Sequence, residues 1–157
     1  MIIQQHSIMI GSDCRSAFEF IADLRNDWRW RTEVRTTVLD GEVRLGAVAV
    51  EASYLSKKMP AYLRKLVCSS YTPGQTVAYQ TEPANLHYLK TTRWAVSHGP
   101  NLSQLTYRLE FDPSIVRFSL GYPVPRLIIH YVTRRAMKAY LRNLKRILEQ
   151  QPGGCSH

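Results

Sequence analysis

Apolar and polar positions alternate or cluster in three textures along the chain. Residues 2–10 alternate, with Ile8 and Ile10 on one side, and predict a first strand. Gly11-Ser12-Asp13 supplies a turn and a helix N-cap, and a helix over Cys14–Asp23 places Ala17, Phe18, Ile21 and Ala22 on one face. The aromatic segment 24–30 that follows predicts a second short helix or turn. From residue 32 to 111 the texture is that of strands. Thr32–Leu39, Leu45–Leu55, Tyr62–Tyr71, Thr76–Thr81, Leu86–Ser97 and Leu102–Phe111 are rich in Val, Thr, Tyr and Trp. Turn signals separate them, among them Asp40-Gly41, Pro73-Gly74, Glu82-Pro83 and Gly99-Pro100. Short turns between neighbouring strands imply an antiparallel meander, which can bury one face and wet the other. In the third strand Val48, Val50, Ala52 and Tyr54 share the expected inner side, opposite Glu51 and Ser53. In the last, Leu105, Tyr107, Leu109 and Phe111 oppose Thr106, Arg108 and Glu110.

The third texture is helical. An irregular stretch from Asp112-Pro113 to Pro125 leads into a long helix over about Arg126–Gln150, and residues 151–157 read as a frayed tail. In the helix Met137, Tyr140, Leu141, Leu144, Ile147 and Leu148 lie on one arc and Arg134, Arg135, Lys138, Arg142, Lys145 and Arg146 on the other. Its first turns, with Leu127, Ile128, Ile129, Tyr131 and Val132, are apolar nearly all round, which predicts cover on several sides. The absence of a repeat or linker predicts a single domain over residues 1–150.

Charge changes this picture only after it is located. The 157 residues carry 21 Lys+Arg against 12 Asp+Glu, for a net charge of +9. Nucleic acid, an anionic surface or an acidic ligand are the ordinary partners of such an excess. Yet residues 124–150 hold seven basic residues and one acid, +6 of the total. With no helix-turn-helix, zinc finger or RNP pattern, nucleic acid is not expected. The apolar arc is needed for the core, so membrane insertion is not expected either; the basic face is solvated or meets an acidic protein partner. Three widely spaced cysteines, no signal peptide and no apolar span of membrane length fit a cytoplasmic protein. No CxxC, HExxH, P-loop or GxGxxG pattern occurs, so neither a metal site nor a nucleotide cofactor is expected, and Cys68 reads as core.

One strand, two short helices, six strands and a long terminal helix imply a sheet curled around that helix. The opening strand ending Ile8-Met9-Ile10, the run Gly11–Asp23, Trp28-x-Trp30-x-x-x-Val34, Asp40-Gly41 with Leu45-Gly46, and Thr92–Val96 with Leu102–Phe111 carry a resemblance. They resemble the START-like, or SRPBCC, superfamily, with its polyketide cyclase/dehydrase members. That resemblance implies an α+β helix-grip fold of about seven antiparallel strands. It names no shared catalytic set. Trp28–Arg31 and the insert 113–125 depart from the pattern and could reshape a pocket mouth.

A curved sheet gripping one helix leaves a cavity, expected to be mostly apolar and to hold a hydrophobic, oxygenated small molecule. Strand parity nominates Tyr54, Tyr79, Tyr88, Trp94 and Tyr107 as its lining; helix phase nominates Arg126, Ile129, His130, Thr133 and Met137. His130 is the candidate acid/base, because imidazole exchanges protons near neutral pH. Tyr54 and Tyr107 are candidate catalytic donors, with Tyr79 as an orienting one. Arg126 is a candidate oxyanion partner, whereas Arg64, Arg93 and Arg108 read as surface charges. The resemblance to polyketide cyclases implies a cofactor-independent cyclisation, dehydration or isomerisation in biosynthesis, that of a lyase or isomerase. The alternative is a carrier or sensor of a lipid or aromatic metabolite using the same cavity.

Overall fold

The computed structural model describes residues 1–82 and 87–150. Strand β1 (Ile2–Ile10) is followed by helix α1 (Cys14–Ala22) and a 3-10 turn over Leu24–Arg29. The meander β2 (Val34–Leu39), β3 (Val48–Ser53), β4 (Tyr62–Thr72), β5 (Thr76–Thr81), β6 (Leu89–Gly99) and β7 (Leu102–Phe111) comes next, then α2 (Ser114–Leu120) and α3 (Arg126–Gln150). The strands form one antiparallel sheet in the order β1-β7-β6-β5-β4-β3-β2. β1 returns to pair with β7, from Ile2 opposite Phe111 to Ile10 opposite Ser103, so the last strand is not left as an edge.

Local chemistry sets the element ends. The Asp13 carboxylate accepts the Ser16 N–H at 3.0 Å and starts α1. This bond, made to the ionised form, holds the Asp13 carboxyl below its usual range. Where an irregular stretch is expected after Asp112, the chain forms α2 instead. Asp112 Oδ1 accepts the Ser114 N–H at 2.9 Å, and Gly121, at φ 84°, closes the helix in the left-handed region with its N–H on the Arg117 carbonyl. The expected turn at Pro83, the strand start at Leu86 and the tail 151–157 lie outside the described residues. Among those residues no helix is long and apolar enough to cross a membrane.

The sheet's concave face and α3 meet in a core that is dense at one end. Leu141, Leu144 and Leu148 of α3 pack in one cluster with Phe18, Ile21, Trp30 and Leu105, all buried. Two expectations fail in instructive places. β3 is inverted: Ala49, Glu51 and Ser53 are buried, while Val50 is 41% and Tyr54 36% exposed. The buried Glu51 has cationic partners, which makes its inward position tolerable. The second concerns the first turns of α3, where only Ile129 is buried. Leu127 is 83%, Tyr131 60%, Val132 57% and Ile128 50% exposed, so the described chain does not provide the expected cover.

Candidate functional site

At the other end the grip stays open. A cavity of about 410 Å³ lies between β6 and β7, α2 and the middle of α3. Its apolar wall comes from Leu89, Leu109 and Phe111 of the sheet, Ile115 and Val116 of α2, and Ala136 and Met137 of α3. A second space of about 390 Å³ adjoins it, sharing Val116, Leu120, Val132 and Thr133, and runs out between the 121–125 connection and the start of α3.

The polar wall is a cluster of charge. Arg31, Glu33, Arg64 and Tyr140 line the cavity, and behind them stand Asp27, Glu51 and Arg93, all buried. Arg93 Nη1 and Nη2 donate to the two Asp27 carboxylate oxygens at 2.7 and 2.6 Å, the bidentate geometry that suits a guanidinium. Arg31 Nη1 donates to Asp27 at 2.9 Å and to Glu51 at 3.1 Å, and its Nη2 donates to Glu33 at 2.9 Å. Three guanidiniums thus meet three carboxylates. Burial alone would raise the Glu51 carboxyl, but Arg31 and Arg64 outweigh it and hold the group below its usual range. Burial likewise opposes the charge on Arg31, and the Glu51, Glu33 and Asp27 carboxylates overcome it.

Arg64 is the least satisfied member. It is 6% exposed, yet its hydrogen bond in the cluster is a 3.4 Å contact from Nη1 to Glu51 Oε1, and Glu51 already accepts from Ser53 at 3.0 Å. Its Nε has no partner, nor does that of Arg31. A buried donor without an acceptor costs roughly 1–3 kcal/mol. The two Nε atoms are themselves out of reach of the cavity, but two guanidiniums on its wall, Arg64 held in the cluster by a 3.4 Å contact, are the groups there that suit an anionic or carbonyl oxygen. Near them, burial raises the pKa of the Tyr140 phenol, which keeps it protonated.

These polar residues differ from those expected. Thr133 and Met137 line the cavity, and Ile129 lines the adjoining space. The others lie elsewhere. His130 is on the β1 side of α3, where Gln4 Nε2 reaches its Nδ1 and its carbonyl oxygen, each at 3.2 Å. It lines neither space. Arg126 is exposed and donates to the Met1 carbonyl. Tyr54 is on the outer face with its ring 5.3 Å from the Arg35 guanidinium. Tyr79 is fully buried under α1, its hydroxyl donating to the Ala22 carbonyl at 2.8 Å. Tyr107 is enclosed, edge-on to Trp30 at 5.5 Å and beside Arg93. Trp94 is half-buried on the convex face, opposite in parity to Arg93, and Tyr88 is partly exposed and outside the lining.

Arg64 was missed because its parity on β4 was read as outward, and Arg31 and Glu33 because they lie between the 3-10 turn and β2, where no strand parity applies. One signal was available: Arg64 shares parity with Leu66 and Cys68 on β4, both buried. Arg93, equally unexpected, shares parity with Thr91 and Ala95.

The comparisons agree with this architecture. The START superfamily protein from Mycobacterium smegmatis superposes with a TM-score of 0.72 at 11% identity, over 94% of this chain and 97% of that one. The Zhui aromatase/cyclase from a Streptomyces species gives 0.72 at 15% identity, over 98% and 99%. The di-domain aromatase/cyclase StfQ of the steffimycin biosynthetic pathway gives 0.67 at 14% identity, over 97% of this chain and 52% of the longer one. At these identities the likeness concerns the helix-grip fold alone. No curated protein matches the sequence. The sequence profile described as polyketide cyclase / dehydrase and lipid transport matches residues 1–149, and the chain belongs to that family.

Proposed function

We propose that the cavity encloses an apolar, oxygenated small molecule with its oxygen against Arg64 and Arg31, and promotes cyclisation, dehydration or isomerisation without a cofactor. The observation that carries this reading is Arg64, a buried cation on an apolar cavity wall whose hydrogen bond in the charge cluster is a 3.4 Å contact. Holding a flexible carbonyl compound in one reactive conformer removes much of the entropic barrier to ring closure. A guanidinium at a carbonyl oxygen stabilises the enolate that develops when an adjacent C–H is lost. The Glu33 carboxylate lines the same space and can take that proton; the Tyr140 phenol can donate a hydrogen bond. His130 has no part in this scheme, since it packs against β1.

A second reading, a carrier of the same class of molecule, is favoured by one specific contact. Glu33 already accepts from Arg31 at 2.9 Å, which engages one of the carboxylate oxygens that a base would need. The two readings make different forecasts. Anilinonaphthalene sulfonate, an apolar aromatic probe with one anionic end, is expected to bind the wild type and to bind Arg64→Met roughly tenfold or more weakly, as loss of a charge-assisted hydrogen bond requires. Equal affinity in the variant removes Arg64 as the anchor. Native mass spectrometry of the purified protein identifies the molecule it carries. Conversion of that molecule by the wild type, lost in Glu33→Gln with binding retained, supports catalysis; recovery of the molecule unchanged supports the carrier.

A further inference from the structure

The exposed apolar start of α3 surrounds an opening. Ile128 and Val132 are both solvent-exposed and part of the lining of the outer space, and so is Tyr122 of the 121–125 connection. Leu127 and Tyr131 continue the patch one position round the helix, at i and i+4 of each other. Five large apolar side chains, each at least 50% exposed, therefore form the rim of the cavity mouth and its flank. Monomeric proteins rarely leave such a patch uncovered without a binding role.

Charge identifies the partner. Residues 113–148 contain eight Lys or Arg and not one Asp or Glu. Arg126, Arg134 and Arg135 are exposed on the same helix turns as the patch, and among the described residues none is ion-paired. Lys58 extends over Gly121 from the opposite side of the connection, and Arg117 is exposed on α2. An apolar rim within a ring of cations complements a surface that is apolar below and anionic above. A second copy is a poor fit, because a two-fold contact would oppose these cations to one another. We propose that this face docks the protein on an anionic lipid bilayer, with the apolar rim in the interface and the cavity mouth facing the acyl region. The docking is peripheral and does not depend on which molecule the cavity holds.

Sedimentation with vesicles tests the proposal. The wild type is expected to pellet with phosphatidylcholine vesicles containing phosphatidylserine, to remain in solution with phosphatidylcholine alone, and to be released by high salt. Removal of each rim cation should weaken binding by roughly fivefold, so Arg134→Gln with Arg135→Gln should cost about twenty-fivefold. Leu127→Ser with Tyr131→Ser, at positions too exposed to unfold the domain, should abolish pelleting while probe binding in the cavity persists. Failure of the wild type to pellet with anionic vesicles overturns the proposal and leaves an acidic protein as the occupant. A dimer in sedimentation velocity that Leu127→Ser dissociates overturns it in favour of a second copy.

Discussion

Asp27 is the residue on which the buried charges depend most. It accepts from Arg93 through both oxygens and from Arg31 through one, while fully buried. Removing one partner of a buried pair leaves the other uncompensated, which costs about 3–5 kcal/mol. Asp27→Ala should therefore lower the unfolding free energy by that much in urea denaturation, and a loss below about 1 kcal/mol would show that the guanidiniums find other acceptors. Glu51 adds a pH dependence. Its folded carboxyl titrates below the unfolded one, so its contribution is present above the unfolded value and is lost as pH falls through the folded value. In the wild type, stability should drop as pH falls below about 4.3. Glu51→Gln should be less stable near neutrality and show a shallower acid slope; an unchanged slope would exclude Glu51 from acid unfolding. Such residues escape a reading by hydrophobicity, since nothing in an isolated arginine announces that an aspartate 66 positions away will meet it. Trp94 and Arg93 show this most directly: pairing with Asp27 draws the arginine inward and leaves the tryptophan on the convex face.

At the scale of elements, legibility followed length and period. The seven strands and the long helix were readable because alternation or helical recurrence persists over at least six residues in each. The short helix α2 was not, as seven residues hold barely two turns and its N-cap is a proline with no side-chain acceptor. It depends on its ends and on packing against the cavity, and Gly121 is the vulnerable end. A Cβ there would meet left-handed φ strain and lie 2.6 Å from Lys58 Nζ. Because the lysine tip can swing away, the backbone should dominate the cost, at about 1–2 kcal/mol. Gly121→Ala should thus fray α2, seen as faster amide exchange at Phe118–Gly121 with little change in the sheet. Unchanged exchange there would mean that packing, not the cap, ends the helix.

For the molecule as a whole, the grip is closed where α3 presents Leu141, Leu144 and Leu148 and open where it presents Thr133 and Ala136. The presence of a cavity followed from the fold, but its polar wall did not, because that wall is built from residues whose partners are distant in sequence. This asymmetry yields a test that separates a binding space from imperfect packing. In a dense core, enlarging a side chain forces strain and costs about 1–3 kcal/mol. Ala136 borders a space of about 410 Å³, large enough to accept a phenyl ring. Ala136→Phe should therefore leave stability within about 1 kcal/mol of the wild type, since the ring gains burial without displacing neighbours. The same ring should exclude the aromatic probe, weakening its binding by well over tenfold, while vesicle binding through the rim stays intact. Stability retained with probe affinity unchanged would place the probe elsewhere and identify this space as a packing defect, and strong destabilisation would show that the ring does not fit the space at all. Stability retained with binding lost would locate the ligand between sheet and helix, at the end of the grip that its own side chains leave open.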